Sequence, residues 1–296
     1  MASPIAIAAQ ASALQSALPP LLVEAQRIAA TVIIGIHGRK RAGPGETFWQ
    51  YRPYSFGDST QRIDWHKSAR AERVFIRENE WEAANTLWLW ASPSARMNFK
   101  SKLSNSTKRE RAMVLALALG ELALRAHERV SALGSPFNPA HARSSLVRMA
   151  DWWAQEKPED VFKTPQRLSR FSTVALFSDF LDPPEKIEKW AGEMAARGVA
   201  GHLIQVCDPA EETLPWNGRV EFLEIKGPLR FIAGKAESIR EAYQAKYLAQ
   251  REAVRDIAKR LGWTFSIHRT DDSLVKTLLT LHMLIGGAKS RVLKGG

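Results

Sequence analysis

The 296 residues of this chain carry a net charge of +11, 45% apolar residues and a single cysteine, Cys207. The length suits one large globular domain or two small ones, and the apolar content provides for a buried core. One cysteine excludes an intramolecular disulfide bond and a cysteine-rich metal site. The positive charge favours acidic partners: a nucleic acid, an anionic membrane surface or an acidic protein face.

The beginning of the chain predicts a tail followed by a helix. Residues 1–23 carry no charged side chain, and prolines and glutamines interrupt their apolar run, which is not typical of a signal peptide. We therefore expect residues 1–20 to form a flexible tail. Helical spacing of apolar residues predicts a helix over Leu21–Ile34 that ends at Gly35. Since no apolar run reaches the roughly 18 to 20 residues needed to span a bilayer, the sequence predicts a cytoplasmic protein.

The segment from Gly43 to Glu80 mixes charges of both signs with large aromatic rings. Bidentate arginine–carboxylate pairs and arginine–aromatic stacking can hold an irregular segment in one geometry. We expect such a structural network within an N-terminal module of residues 21–82. Its predicted members are Arg52, Tyr54, Asp58, Arg62, Asp64, Trp65 and Arg70. The alternative is an ordinary solvated loop with weak surface ion pairs.

Short apolar runs alternate with helical segments in the rest of the chain. The runs that predict strands are Thr86–Trp90, Arg129–Leu133, Thr173–Phe177, His202–Val206 and Thr264–His268. The segments that predict helices are Lys108–His127, Pro184–Arg197, Ala233–Leu261 and a last helix that Asp271 or Asp272 caps and that runs to about Ile285. This alternation predicts an α/β domain over residues 83–290, with a mainly parallel sheet flanked by helices. We expect a hairpin insertion near residues 219–232 and a loose wrapping segment over Leu146–Arg170.

An ordered pattern in the charged segment resembles the bacterial family called domain of unknown function 58. The pattern is Gly-x-Gly-Glu-x-Phe from Gly43, then Arg-Pro-Tyr, Gly-Asp, Arg-Ile-Asp-Trp and Ala-Arg, ending at Arg70. Thr86–Met97 and Val174–Asp182 resemble later parts of the family, so the resemblance covers most of the chain after about Leu22. It implies a von Willebrand factor A-like, or Rossmann-like, fold and a MoxR-type AAA+ ATPase as a partner. It implies no known reaction.

The loops after two predicted strands form the candidate site, because ligands of open α/β sheets bind at the carboxyl ends of strands. Metal-binding von Willebrand A-like domains carry Asp-x-Ser-x-Ser after the first strand, and the resemblance places Ser92, Ser94 and Arg96 at those three positions. Asp179 follows a later strand. One carboxylate is lost and a guanidinium that repels divalent ions is added, which predicts a degenerate metal site. Arg96 is expected either to pair with Asp179 or to point to solvent.

Motifs for common enzyme classes are missing from the sequence. There is no nucleotide-binding loop, zinc-protease helix or nucleophile elbow, and neighbouring arginines make Asp58 and Asp64 better ion-pair acceptors than an acid/base pair. We therefore expect no catalytic residue and no cofactor. The predicted function is a non-enzymatic adaptor that works with a MoxR-type AAA+ ATPase in the assembly or maturation of partner proteins. The alternatives are a nucleic-acid-binding protein, through the basic run His37–Arg41, and a divalent-metal-dependent hydrolase, which the missing carboxylate disfavours.

Overall fold

The structure is a computed structural model of the chain. It describes residues 20–33, 48–55, 63–71, 73–79, 86–155, 162, 168–169, 172–223 and 230–292. The chain divides into two compact units, a smaller one of residues 36–84 and a larger one of residues 1–35 and 85–296. The first helix therefore groups with the larger unit, whereas the sequence analysis placed it in one module with the charged segment.

Secondary structure covers most of the described residues. The helices are α1 (residues 20–33), α2 (Trp65–Ser68), α3 (Lys108–Arg125), α4 (Ser144–Gln155), α5 (Pro184–Ala195), α6 (Pro209–Thr213), α7 (Arg240–Arg260) and α8 (Leu274–Val292). The strands are β1 (Phe48–Pro53), β2 (Phe75–Asn79), β3 (Thr86–Ala91), β4 (Arg129–Ala132), β5 (Thr173–Ser178), β6 (Ala200–Cys207), β7 (Val220–Leu223), β8 (Arg230–Ala233) and β9 (Thr264–Arg269). None of the described helices is long and apolar enough to cross a bilayer.

The described part of the larger unit is built on a five-stranded sheet in the order β4-β3-β5-β6-β9. Every neighbouring pair in this sheet is parallel. Strands β3 and β5 are buried along their whole length, as expected for a parallel sheet that is covered on both faces. The sheet and its flanking helices confirm the predicted α/β fold. Strands β7 and β8 pair antiparallel, in the region where the sequence predicts a hairpin insertion.

One face of the sheet carries an aromatic core against α5 and α7. Trp88 and Trp90 of β3 belong to this core, together with Trp190 of α5 and Trp263 before β9. The ring centroids of Trp90 and Trp190 lie 4.9 Å apart. Trp263 also donates a hydrogen bond from its ring nitrogen to the carbonyl of Val199 at 3.0 Å, so this ring is both packed and satisfied.

Helix α3 packs against β3 and against helices α4 and α8. It is buried on nearly all sides, as its all-round apolar sequence predicts. A capping box begins the helix: the Thr107 hydroxyl accepts from the Glu110 backbone N–H at 3.1 Å, and the Glu110 carboxylate accepts from the Thr107 N–H at 2.7 Å. This box satisfies two backbone groups that would otherwise lack partners and fixes where the helix starts.

The structure corrects three local predictions. The predicted loose segment begins with α4, whose buried residues Leu146, Met149, Ala150 and Trp153 follow helical spacing. The predicted cap of α8 at Asp271 or Asp272 is wrong, because Asp271 pairs with the Arg269 side chain and Asp272 accepts from the Arg269 backbone N–H, while the helix begins only at Leu274. Ser273 instead accepts from the Lys276 backbone N–H at 3.5 Å. The predicted long helix from Ala233 begins only at Arg240, after a turn of 3-10 helix over Ala236–Ile239.

The smaller unit contains an antiparallel pair, β1 and β2, and the single helical turn α2. The sequence analysis expected only irregular structure here. Neither strand sequence, FWQYRP or FIREN, alternates regularly between apolar and polar residues, so the period-two signal is weak, and the pairing of β1 also has a register shift between Phe48 and Gln50. Residues 56–62, which include Asp58 and Arg62, lie outside the described residues.

Candidate functional site

The carboxyl ends of β3 and β5 lie side by side at the point where the order of the sheet reverses. From β3 the chain continues to β4 on one side of the sheet, and from β5 it continues to β6 and β9 on the other. Such a switch point opens a crevice in which doubly wound proteins bind their ligands. The loops that leave the two strands begin at Ser92 and Asp179, so the structure brings the predicted site residues to this edge.

Arg96 and Asp179 form the ion pair that the sequence analysis left open. Arg96 lies in a short 3-10 helix, Ala95–Asn98, whose first backbone groups the Ser94 hydroxyl caps. Its Nε lies 3.2 Å from Asp179 Oδ2, and its Nη2 lies 3.4 Å from Asp179 Oδ1 and 2.5 Å from Asp182 Oδ2. The guanidinium therefore bridges two carboxylates, in the forked geometry that arginine favours. It does not extend into solvent alone.

A second cation, the buried side chain of Lys108, also contacts this cluster of carboxylates. Lys108 is the first residue of α3, and its side chain is 0% exposed. Its Nζ lies 3.3 Å from Asp179 Oδ2 and 2.5 Å from Glu211 Oε1. The capping box at Thr107 determines this position, because it starts the helix at the residue whose side chain reaches the carboxylates.

The sequence analysis missed Lys108 and Glu211. Lys108 appeared only as a charged residue in the first turn of a predicted helix, and a basic residue there opposes the helix dipole. That mismatch was the available signal. Glu211 belongs to a second capping box, in which the Asp208 carboxylate accepts from the Ala210 N–H at 2.9 Å and Glu211 accepts from the Asp208 N–H at 2.9 Å.

The two carboxyls that share Lys108 differ in their electrostatics. Burial raises the pKa of Asp179, but Lys108 and Arg96 outweigh this effect, so its pKa lies below its ordinary value. Burial also raises the pKa of Glu211, and there Lys108 opposes the shift without reversing it. Asp179 has two cationic partners and Glu211 has one, which accounts for the difference in direction.

Polar side chains from β6 and α7 support the loop after β5. Gln205 donates to the backbone carbonyl of Asp179 at 3.0 Å and accepts from Arg251 Nε at 2.8 Å. Gln250 donates to the carbonyls of Phe180 and Asp182 at 2.8 and 2.7 Å. Phe180 adopts a left-handed backbone with φ of 49°, a conformation that is costly for a residue with a large side chain. The glutamine bonds hold this loop in place.

The cluster is arranged to neutralise its own carboxylates. A divalent cation would have to displace Lys108 or Arg96 from Asp179, and both ammonium and guanidinium would repel it. Ser92 is fully buried, and its hydroxyl accepts from the Ser94 N–H at 3.3 Å. Within the described residues, no group of three or more His, Cys, Asp or Glu side chains is placed to hold a metal ion. The degenerate metal site itself stays a prediction, which a divalent-cation binding measurement would test.

The predicted network of the smaller unit is only partly described. Asp64 caps α2 by accepting from the Lys67 N–H at 2.9 Å, and it is half-buried, as is Tyr54. Trp65 is 67% exposed, and Arg70 is also exposed. The side chain of Arg52 and all of Asp58 and Arg62 lie outside the described residues, so one network that joins all these residues stays a prediction.

Comparisons with known proteins give a family and distant structural similarities. A family model described as "Protein of unknown function DUF58" matches residues 50–253. A conserved hypothetical protein BatB from Bacteroides thetaiotaomicron is 12% identical, with a TM-score of 0.42 over 70% of this chain and 99% of that chain. An aerotolerance-related membrane protein from Bacteroides fragilis is 12% identical, with a TM-score of 0.42 over 69% of this chain and 99% of that chain. No curated protein matches the chain.

Proposed function

This chain belongs to the DUF58 family of proteins of unknown function, and from that premise we propose that it is a non-enzymatic adaptor for other proteins. It would present the carboxyl edge of a von Willebrand A-like sheet to a MoxR-type AAA+ ATPase or to the client of that ATPase. The charged smaller unit would provide a second contact. The protein would act in the assembly or maturation of partner proteins and would work in the cytoplasm.

The observation that carries this proposal is the neutralised cluster at the switch point. A hydrolase that uses a metal needs open oxygen ligands with excess negative charge, whereas Asp179 is engaged by both Lys108 and Arg96. The cluster instead fixes the shape of this edge. Arg96 remains 35% exposed in its side chain, so a guanidinium that is already oriented by two carboxylates stands at the surface, where a partner carboxylate could also reach it.

The proposal is tested by capture of the MoxR-type ATPase from the same genome with the purified chain. We expect the unmodified chain to retain the ATPase and Arg96→Ala to retain less. Arg260→Ala is the matched control, because Arg260 also forms a surface ion pair, with Glu188 at 2.8 Å, but lies at the amino edge of the sheet before β9. Equal capture by both variants would contradict the proposed role of the carboxyl edge. No capture by the unmodified chain would contradict the ATPase partnership itself.

A further inference from the structure

The smaller unit presents an exposed aromatic and basic surface around α2. Trp65 is 67% exposed and Val74 is 39% exposed. His66, Lys67, Arg70 and Arg73 are exposed as well. We call these six residues the Trp65 surface. A tryptophan so open to water is unusual in a folded protein, because a large ring gains most from burial, and exposed apolar side chains rimmed by charge are typical of interaction sites.

Hydrogen bonds hold this surface in one conformation. The Asp64 N–H donates to the carbonyl of Phe75 at 2.9 Å, and the Phe75 N–H donates to the Ser68 hydroxyl at 2.9 Å. The Tyr54 N–H donates to the carbonyl of Val74 at 2.8 Å. The first two bonds tie the helical turn to β2, and the third joins the residue after β1 to the residue before β2. The backbone under Trp65 is therefore fixed before any partner arrives, which lowers the entropy that binding would cost.

The charge of the surface is positive. Within the described residues, neither Arg70 nor Arg73 has an ion-pair partner. Two acids adjoin this surface in sequence: Asp64, which caps α2 by accepting from the Lys67 N–H at 2.9 Å, and Glu72, which lies outside the described residues. Two guanidinium groups with unused donors therefore lie within a few residues of the open tryptophan ring. Arginine and tryptophan are the residue types most enriched among the side chains that dominate protein interfaces.

We propose that the Trp65 surface binds an acidic segment of a partner protein, with an apolar side chain of that segment packed on the tryptophan ring. The arginines would bind carboxylates, to which their forked donors are matched. This inference rests on the proposed function, because it specifies the chemistry of a partner that the smaller unit would contact. A nucleic acid is less well matched, since single strands are bound by successive aromatic platforms along a continuous basic groove, whereas the aromatic rings among these six residues, Trp65 and His66, are adjacent on one helical turn.

The test is fluorescence anisotropy with the full chain and a labelled peptide of repeated Asp-Glu-Leu triplets. A peptide of Asn-Gln-Leu triplets and a labelled thymidine oligonucleotide are the comparison probes. We expect the acidic peptide to bind at least about tenfold more tightly than the amide peptide. Trp65→Ala and the double variant Arg70→Glu/Arg73→Glu should each weaken this binding about tenfold or more. Lys186→Glu/Lys189→Glu is the control, because it makes the same change in net charge at exposed positions of α5.

The outcomes separate the inference from its alternatives. Equal affinity for the two peptides, or equal loss in the Arg70/Arg73 and Lys186/Lys189 variants, would overturn it. Tighter binding of the oligonucleotide that depends on Trp65 would also overturn it, in favour of a nucleic acid. Far-ultraviolet circular dichroism shows whether each variant remains folded, and the exposed positions make this the expected result. The peptide assay contains no ATPase, so its result is independent of the ATPase capture. A negative result in the peptide assay would contradict only the inference about the Trp65 surface, and a negative capture would contradict only the proposed ATPase partnership.

Discussion

At the scale of single residues, the position of one ammonium group determines the character of the site. Lys108 is fully buried, yet its Nζ lies within 3.3 Å of Asp179 and 2.5 Å of Glu211. Removing a charge from water costs several kcal/mol, and only close opposite charges and hydrogen bonds offset that cost. The three groups therefore depend on one another, and the loss of Lys108 leaves the carboxylate of Glu211 without a cation.

We predict that Lys108→Met destabilises the protein by about 3–5 kcal/mol at pH 7, because it leaves Glu211 without a cation and Asp179 with Arg96 alone. Urea unfolding followed by circular dichroism measures the free energy of unfolding. The destabilisation caused by Lys108→Met should be smaller at acid pH, because protonation of the carboxyl groups removes the uncompensated charge. In addition, ionised Asp179, whose pKa is lowered, stabilises the unmodified chain, and this contribution is lost as the pH falls below the ordinary value of 3.8. Lys246→Met, at an exposed position of α7, is the control. A cost for Lys108→Met no larger than for this control would show that the cluster is not held by its lysine.

The same cluster predicts that millimolar Mg²⁺ or Mn²⁺ does not bind at Ser92, Ser94 and Asp179. Restoring the carboxylate by Ser92→Asp and removing the guanidinium by Arg96→Ser would leave the Lys108 ammonium in contact with Asp179. We therefore expect the triple variant with Lys108→Ala to gain divalent-cation binding in calorimetry, and the double variant to gain less. Tight binding of either cation by the unmodified chain would contradict the degenerate site.

Two buried histidines predict loss of stability at mildly acid pH. Burial lowers the pKa of His202 from 6.5 to about 4, and burial with nearby Arg111 lowers that of His268 from 6.5 to about 4. The unfolded chain therefore binds more protons between these values, so stability falls as the pH drops from about 6.5 toward 4. The expected loss is about 2 kcal/mol for each histidine between pH 7 and 5.

Urea unfolding at several pH values tests this expectation. His202→Gln and His268→Gln should each flatten the profile between pH 7 and 5, relative to the unmodified chain. Glu211 has the opposite effect on stability as the pH falls, because its pKa is raised. Its contribution is the same in the variants and in the unmodified chain, so it cancels when their profiles are subtracted. Profiles of equal slope for variants and unmodified chain would mean that the two rings titrate normally.

At the scale of elements, the close approach of β6 to the loop before β9 depends on a missing side chain. A Cβ atom at Gly201 would lie 2.0–2.3 Å from ring atoms of Trp263, far inside van der Waals contact. Trp263 cannot easily retreat, because it belongs to the aromatic core and its ring nitrogen bonds the carbonyl of Val199. Packing of the Trp263 ring against the backbone of Gly201 thus fixes the position of the edge strand β9 relative to β6.

We expect Gly201→Ala to destabilise the protein by about 1–3 kcal/mol or more, because the core must open to admit the methyl group. Gly192→Ala is the matched control in α5, where nothing lies within 4 Å of the added atom. That change should be neutral or stabilise by up to about 1 kcal/mol, since glycine is unfavourable inside a helix. Thermal unfolding of both variants checks the contrast. Similar shifts in melting temperature would refute the role given to Gly201.

Strands with continuous apolar runs were predictable, and elements held by side-chain chemistry were less so. The apolar run VALFS after Thr173 predicts a strand that is buried on both faces, as in a sheet covered by helices. The observed strand β5, Thr173–Ser178, coincides with this run. The pair of Arg96 with Asp179 was foreseen as one of two options, because both residues follow neighbouring strands. Lys108 was not foreseen, because its partners, Asp179 in the loop after β5 and Glu211 in α6, are distant from it in sequence. Helix α4 was missed because its tryptophans and the prolines that follow obscured a regular spacing of apolar residues.

At the scale of the whole molecule, the larger unit is discontinuous in sequence. Residues 36–84 form their own compact unit between α1 and β3. Helix α1 is nonetheless part of a packed interior, since Ala25, Ile28, Ala29 and Val32 are each no more than 2% exposed. The larger unit must therefore close a loop of about 50 residues before its core is complete. Closing that loop costs about 1 kcal/mol more than closing one of about 12 residues.

We predict that the larger unit folds when residues 36–84 are replaced by a flexible glycine–serine linker of about 12 residues. The variant should keep a cooperative urea transition, since the sheet and its aromatic core lie outside the deleted residues. Circular dichroism and fluorescence of the core tryptophans measure this transition. A non-cooperative transition would show that the smaller unit is needed to complete the larger one.

The discontinuity also has a consequence for synthesis on the ribosome. Helix α1 ends at residue 33, and the first strand of its own unit begins only at Thr86. At ordinary rates of translation, about 3 to 10 s pass between the synthesis of these two points. During that interval the residues of α1 that are buried in the finished protein have no completed unit to pack against. We therefore expect the nascent chain to expose an apolar segment that chaperones can bind and that the finished protein buries.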